Sequence, residues 1–201
     1  MGGFTVIQDV SALLRGRIFS ALSSAPGVDF QLTDEATNLT LSPPGEESDS
    51  HVASLYLYHI EHERHLRNQR PLPDRSDPSR VRKPPLPLQL RYLLTPTDSE
   101  ESNNQLLLAR VLQDFYDEPM VPAPGDEPRD SFGGASPELR VLSETPSIEQ
   151  LTQIWNALSQ PFRLSLVLLV EIVAIDSGRP AELVPRVERT HSVVGPKERG
   201  P

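Results

Sequence analysis

From Asp9 to Ser24 the apolar residues recur as Val10, Leu13, Leu14, Ile18 and Leu22. That spacing places one apolar stripe on a helix, which Pro26 and Gly27 should end. Val28, Phe30 and Leu32 then alternate with Asp29, Gln31 and Thr33, predicting a half-buried strand with a hairpin through DEATN to Leu39 and Leu41. After the turn-rich SPPGEESDS, residues 52–60 are rich in Val, Leu and Tyr and predict a second strand. LQLRYLLT at 88–95 alternates again and resumes the sheet. Asp98 with Glu101 has the spacing of a capping box, ahead of Leu108, Val111, Leu112 and Phe115 on one helical face, with an end near Glu118 and Pro119. Leu139, Val141 and Leu142 suggest a short strand. Ser147 with Gln150 is a second capping box, opening a helix whose inward face is Ile148, Leu151, Trp155 and Leu158 with Ile154 beside it. The run 164–175, LSLVLLVEIVAI, is apolar at odd and even positions alike and predicts a central strand covered on both faces.

Strands in runs, with helices between some of them and no regular βαβ alternation, predict an α+β fold. Its sheet should be mostly antiparallel and flanked by about three helices. The 201 residues include 21 prolines, about twice ordinary usage. Prolines are excluded from helix interiors and central strands, so the loops should be long. One stretch concentrates them. Residues 64–91 carry Pro71, Pro73, Pro78, Pro84, Pro85 and Pro87 with eight basic residues against Asp74 and Asp77. This is an extended, positively charged excursion, either a solvated loop or an electrostatic contact for an acidic protein surface. The tail after Asp176 has four prolines and no periodicity, so it should be an arm that gains order only along a neighbour. Residues 1–177 are therefore expected to form one domain and 178–201 an extended arm.

Lys and Arg number 19 against 28 Asp and Glu, a formal charge of −9, which makes nucleic acid an unfavourable partner. The absence of cysteine excludes disulfides, thiolate metal sites and cysteine nucleophiles. No basic stretch leads into an apolar run and cleavage site at the N-terminus, so no secretory signal and a cytoplasmic start are expected. The longest apolar run has 12 residues and includes Glu171, too short to insert in a membrane.

The chemistry is sparse. His59, His62 and His65 lie close in sequence, but a metal site needs converging ligands, whereas His59 belongs to a strand and the others to a polar run leaving it. They are read as a charged, solvated edge, with no metal. No G-x-S-x-G, G-x-G-x-x-G, Walker loop or H-E-x-x-H occurs, and no cofactor is implied. Adjacent acids such as Glu46 with Glu47 or Glu100 with Glu101 serve solubility or helix-dipole matching. Tyr56 and Tyr58 share one strand face, as core or as subunit interface.

SLYLYHIEHERHLRNQRP followed by PPLPLQLRYLLTP, then LLARVLQDFYDEPMV, then LTQIWNALSQPFRLSLVLLVEIVAIDS, resembles the cap, or tube-terminator, domain of phage-tail-like contractile injection systems. The resemblance spans about residues 5–177. It implies a non-enzymatic structural protein, similar in fold to phage tail terminators. Such a protein forms a hexameric ring on the distal end of the inner tube and engages the last sheath layer. Its implied partners are further copies of itself, the tube protein and the sheath protein. The particle would assemble in the cytoplasm and then be retained or released. Only the short arm follows the last core strand, where longer members carry an accessory region. Candidate contact residues are Tyr56 and Tyr58, the basic Arg64, Arg67, Arg70, Arg80, Arg82, Lys83 and Arg91, then Arg163, and in the arm Val184, Arg186, Val187 and Arg189. The rival readings are a monomeric peptide-binding adaptor using the basic loop and an enzyme of unrecognised type.

Overall fold

The structure is a computed structural model and describes residues 3–45, 50–63, 69–74, 77, 79–122 and 138–183. The N-terminal stripe forms helix α1, Val6–Ser23, and buries Val6, Val10, Leu14, Ile18 and Leu22. Spacing of four residues keeps these side chains on one face. The helix closes with a hydrogen bond from the Ala25 amide to the Leu22 carbonyl, and Gly27 follows at φ 76°, a conformation open to glycine.

Residues 28–33 do not form the expected strand. Their donors are taken locally. The Gln31 amide donates to Asp29 Oδ1 at 2.8 Å, and the Thr33 and Asp34 amides donate to Asn38 Oδ1 at 2.7 and 2.9 Å. Gln31 itself sits at φ 51°. Side chains that satisfy the backbone in this way compete directly with a ladder. DEATN is likewise not a hairpin loop. Asp34 caps a single turn, α2 (Glu35–Asn38), by accepting the Thr37 amide at 3.0 Å. Arg15 holds that turn to α1 through Glu35 at 2.8 Å.

The chain then enters β1 (Leu39–Thr40), which pairs parallel with the start of β2 (Ala53–His62). A second sheet contains β3 (Leu72–Pro73) and β4 (Arg80–Arg82). The main sheet continues with β5 (Leu86–Pro96), and helix α3 (Glu101–Asp117) follows. Next come β6 (Met120–Pro122), β7 (Glu138–Glu144), helix α4 (Ile148–Ala157), β8 (Leu166–Ile175) and β9 (Glu182–Leu183). The six-stranded sheet runs β1-β2-β5-β8-β7-β6, antiparallel except for β1 with β2. The apolar 164–175 run is thus β8, central as its two-sided hydrophobicity required.

One face of this sheet presents Leu90, Tyr92, Leu94, Leu168, Val170 and Val141 to α1 and α3, and these form the main core. The other face presents Leu93 and Val167 to Trp155 of α4, with Tyr58, Leu151, Ile154 and Leu158 around them. The α4 capping box forms as predicted, with Gln150 N to Ser147 Oγ at 3.3 Å and Ser147 N to Gln150 Oε1 at 2.9 Å. Ile148, at 74% exposed, faces away from the core its spacing had suggested.

The capping box expected at Asp98 and Glu101 does not form. Glu100 is the N-cap of α3 and contributes no side-chain bond. Instead the buried Asn104 accepts the Asp98 amide and donates to the Asp98 carbonyl, both at 3.1 Å, so the helix holds its entry loop from within. Leu108, Val111 and Phe115 are buried as expected, but Leu112 points outward.

The chain divides into two compact units. The first takes residues 1–68 and 85–176, and the second takes residues 69–84 and 177–201. The second contains the sheet β3-β4-β9. Two of its strands come from the basic excursion, which is therefore partly ordered by pairing, and the third from the expected arm. Glu182 and Leu183 pair with Val81 and Arg80 of the same chain, so the described start of the arm does not wait for a neighbour to be ordered. Val184, Arg186, Val187 and Arg189 lie outside the described residues.

Candidate interaction surfaces

On the α4 face of the sheet, beyond the helix, Arg91 stands at the centre of a charged cluster. Its residue on β5 and Leu142 on β7 both register against Leu169 of β8, so the guanidinium reaches across β8 toward β7. Nε and Nη2 donate to the two oxygens of Glu144 at 2.8 and 3.2 Å, and Nη1 donates to Glu61 on β2 at 2.9 Å. A two-toothed contact of this kind is matched to the planar fork of arginine. The Glu144 bonds, and then those of Glu61, hold the Arg91 charge more firmly than usual against the cost of its desolvation. Arg91, expected as a contact residue, thus has its guanidinium engaged within the subunit. It ties β2, β5 and β7 together.

Beside the cluster, an open groove of about 640 Å³ runs between the sheet and α4, lined by Tyr58, His59, Gln150, Gln153 and Ile154 among others. Burial, reinforced by the Glu144 charge, raises the Tyr58 hydroxyl above its ordinary pKa. Tyr56 and Tyr58 are half-buried on this face. The β-bulge between Leu57 and His59 keeps Tyr58 against the Trp155 cluster. His59 lies 4.0 Å from Glu61, while strand alternation sends His62 to the opposite face. Those two imidazoles do not converge, His65 is outside the described residues, and no group of three metal-ligating side chains occurs among the described residues.

A second, polar groove of about 790 Å³ is lined by Asp29, Asp98, Glu100, His51 and Arg163, with Phe30 at its side. Arg163 is the guanidinium within an otherwise acidic rim.

Sheet edges and exposed apolar surface complete the inventory. The strand β1 covers β2 only at Ala53 and Ser54, so among the described residues Leu55–His62 has no strand on its outer side. A bare strand edge is a template for another chain. In the small sheet, Leu72 registers with Arg82 and Leu183 with Arg80, which puts both leucines and both arginines on one face. Arg70 and Lys83 flank these strands, and Arg80 also pairs with Asp77 at 3.5 Å. Arg64 and Arg67 lie outside the described residues. Sequence reading missed the outward face of α3, where Leu106, Leu112 and Tyr116 are 46%, 38% and 86% exposed. The signal was present. Gln105, Leu106, Ala109, Leu112, Gln113 and Tyr116 form one uncharged stripe, with Leu112 at the edge nearest Leu108 and with Arg110 and Asp117 along the other edge.

No helix among the described residues is long and apolar enough to cross a membrane. The model of the Pvc16 N-terminal domain family matches residues 9–189. No curated protein gives a significant sequence match. Among solved structures, the fold is similar to the sheath/tube terminator of PVC, an extracellular contractile injection system, in its extended state. That likeness has a TM-score of 0.62 at 16% identity, over 98% of this chain and 66% of the other. The tube-terminating cap of the anti-feeding prophage matches with a TM-score of 0.59 at 17% identity, over 93% of this chain and 61% of the other. This chain thus spans slightly less than two thirds of either neighbour.

Proposed function

The chain belongs to the Pvc16 N-terminal domain family, and we propose that it is the tube-terminating cap of a contractile injection system. In this reading it forms a hexameric ring on the distal end of the inner tube, stops tube growth and engages the last sheath layer. The observation that carries the proposal is the family match over residues 9–189, supported by the tube-terminator fold along almost the whole chain.

The physical logic is direct. A tube of stacked rings keeps an unsatisfied rim of backbone and apolar groups at its growing end. A ring complementary to that rim on one face only occupies it without re-creating it. Such a protein works through interface surface rather than through catalytic groups. Among the described residues, the charged cluster of Arg91 with Glu61 and Glu144 is engaged within the subunit. Half-buried Tyr56 and Tyr58, Arg163 at the acidic groove, and the basic residues of the small sheet are the surfaces offered to neighbours. The ring assembles in the cytoplasm with the rest of the particle and uses no cofactor.

The test is expression of the particle genes with and without this chain, with tube lengths measured by electron microscopy. Tubes of one defined length with the chain, and a broad length distribution without it, are expected. An unchanged distribution would remove the proposal.

A further inference from the structure

We infer that, within the ring, the small basic sheet β3-β4-β9 of one copy lies on the outward face and C-terminal end of α3 of the next copy. The inference rests on the cap reading and deepens it by naming the two surfaces that meet.

The small sheet cannot stand as a folded layer by itself. Its strands have two, three and two residues, and none of the described residues in its unit is buried. Sheets this small are stable only when packed on something. The face that needs cover is defined by register. Leu72 and Leu183, the latter 70% exposed, sit with Arg80 and Arg82. A surface that fits must be apolar at its centre and acidic at its border.

Helix α3 presents such a surface. Its outward stripe, Gln105, Leu106, Ala109, Leu112, Gln113 and Tyr116, is uncharged, whereas a helix facing water ordinarily carries charge there. Depletion of charge with exposed aromatic and aliphatic side chains is the composition of an interface centre. Met120, 43% exposed, extends the patch just past the helix. The C-terminal end of the stripe is acidic, because the last turn holds no basic residue and runs into Asp117 and Glu118, whereas one side carries Arg110, which donates to Gln113 at 3.2 Å. Glu118 is shared with Arg17, while Asp117 is exposed and has no partner among the described residues. Two further cations near this helix C-terminus would also offset its dipole. Arginine packed over the exposed Tyr116 ring adds a cation–π contact.

The two surfaces differ from one another, which makes the contact heterologous. Head-to-tail contacts of that kind close into rings when the rotation permits. Each copy then offers its basic sheet to one neighbour and its α3 face to the other.

The chain has no cysteine, so introduced thiols are the only ones it has. Differently tagged Leu183→Cys and Tyr116→Cys chains are co-expressed with the remaining particle genes, and purified capped particles are oxidised. A disulfide joining the two differently tagged chains is expected, with none when either variant is present alone. In parallel, Arg82→Asp or Asp117→Arg should each lower the yield of capped particles about fivefold, and their combination in one chain should restore it, as an interfacial charge pair would. A ring seen at the tube end without the cross-link and without charge rescue overturns this inference and leaves the cap reading standing. Cross-linking of either cysteine to tube or sheath protein instead would also overturn it. Loss of any ring at the tube end in the wild-type particle removes both.

Discussion

The Tyr92 hydroxyl lies 2.8 Å from Ser11 Oγ, joining the middle of β5 to α1 inside the main core. Ser11 Oγ also lies 2.9 Å from the Ile7 carbonyl. Burial pushes the Tyr92 pKa up to about 12, with the Ser11 bond a smaller opposing effect. In the unfolded chain the group titrates near 10, so the folded state holds its proton through the window between. The stability from this site is complete below about pH 10 and is lost as pH rises through 12, at up to about 1.4 kcal/mol per pH unit. Tyr58 is raised in the same direction. Urea unfolding from pH 8 to 12 should show that decline, and Tyr92→Phe should flatten much of it. The same variant should lose about 1 kcal/mol at pH 8, the net worth of one buried hydrogen bond.

Removing the central cation of the sheet should cost more. Arg91→Ala leaves Glu61 and Glu144, each about 30% exposed, facing one another across β5 and β8. A loss of about 2 kcal/mol is expected, below the value for a fully buried pair because water screens part of it. Arg91→Lys should recover less than half, because an ammonium cannot make the two-toothed contact with Glu144. Melting curves of the three proteins check this.

Asn38 is the hub of the loops before β1. Its side chain satisfies the Thr33 and Asp34 amides and the Ser50 carbonyl. Asn38→Ala should cost about 2 kcal/mol. It should also raise amide exchange at Thr33 and Asp34 before the sheet itself opens, which hydrogen exchange resolves residue by residue.

The same loops mark where sequence reading stopped working. Helix α1, β5, β8 and the Ser147 cap were legible because a period or a capping pair decides them locally. Val28–Leu32 has a clean alternation, yet Asp29 takes the Gln31 amide and Asn38 the Thr33 amide that follows, a competition set by side chains up to five residues away. The Asp98 and Glu101 pair lost to Asn104 for the same reason, since a buried amide one turn inside α3 bonds both ends of Asp98's backbone. Leu112 reads as core at helical spacing and is 38% exposed, because the stripe toward α1 is already filled by Leu108, Val111 and Phe115. The pairing of β9 with β4 joins segments about a hundred residues apart and had no local signal. Of the candidate contact residues, Tyr58 packs beside the Trp155 cluster and the Arg91 guanidinium is held within the subunit.

The central claim is that this chain forms the ring that ends the tube. The most direct measurement is an electron cryo-microscopy reconstruction of the particle's distal end, calculated without imposed symmetry. The account predicts six copies of the chain in one closed layer on the last tube ring, with no tube density beyond them. A distal end that lacks the chain, or a chain found as isolated copies elsewhere on the particle, would contradict it.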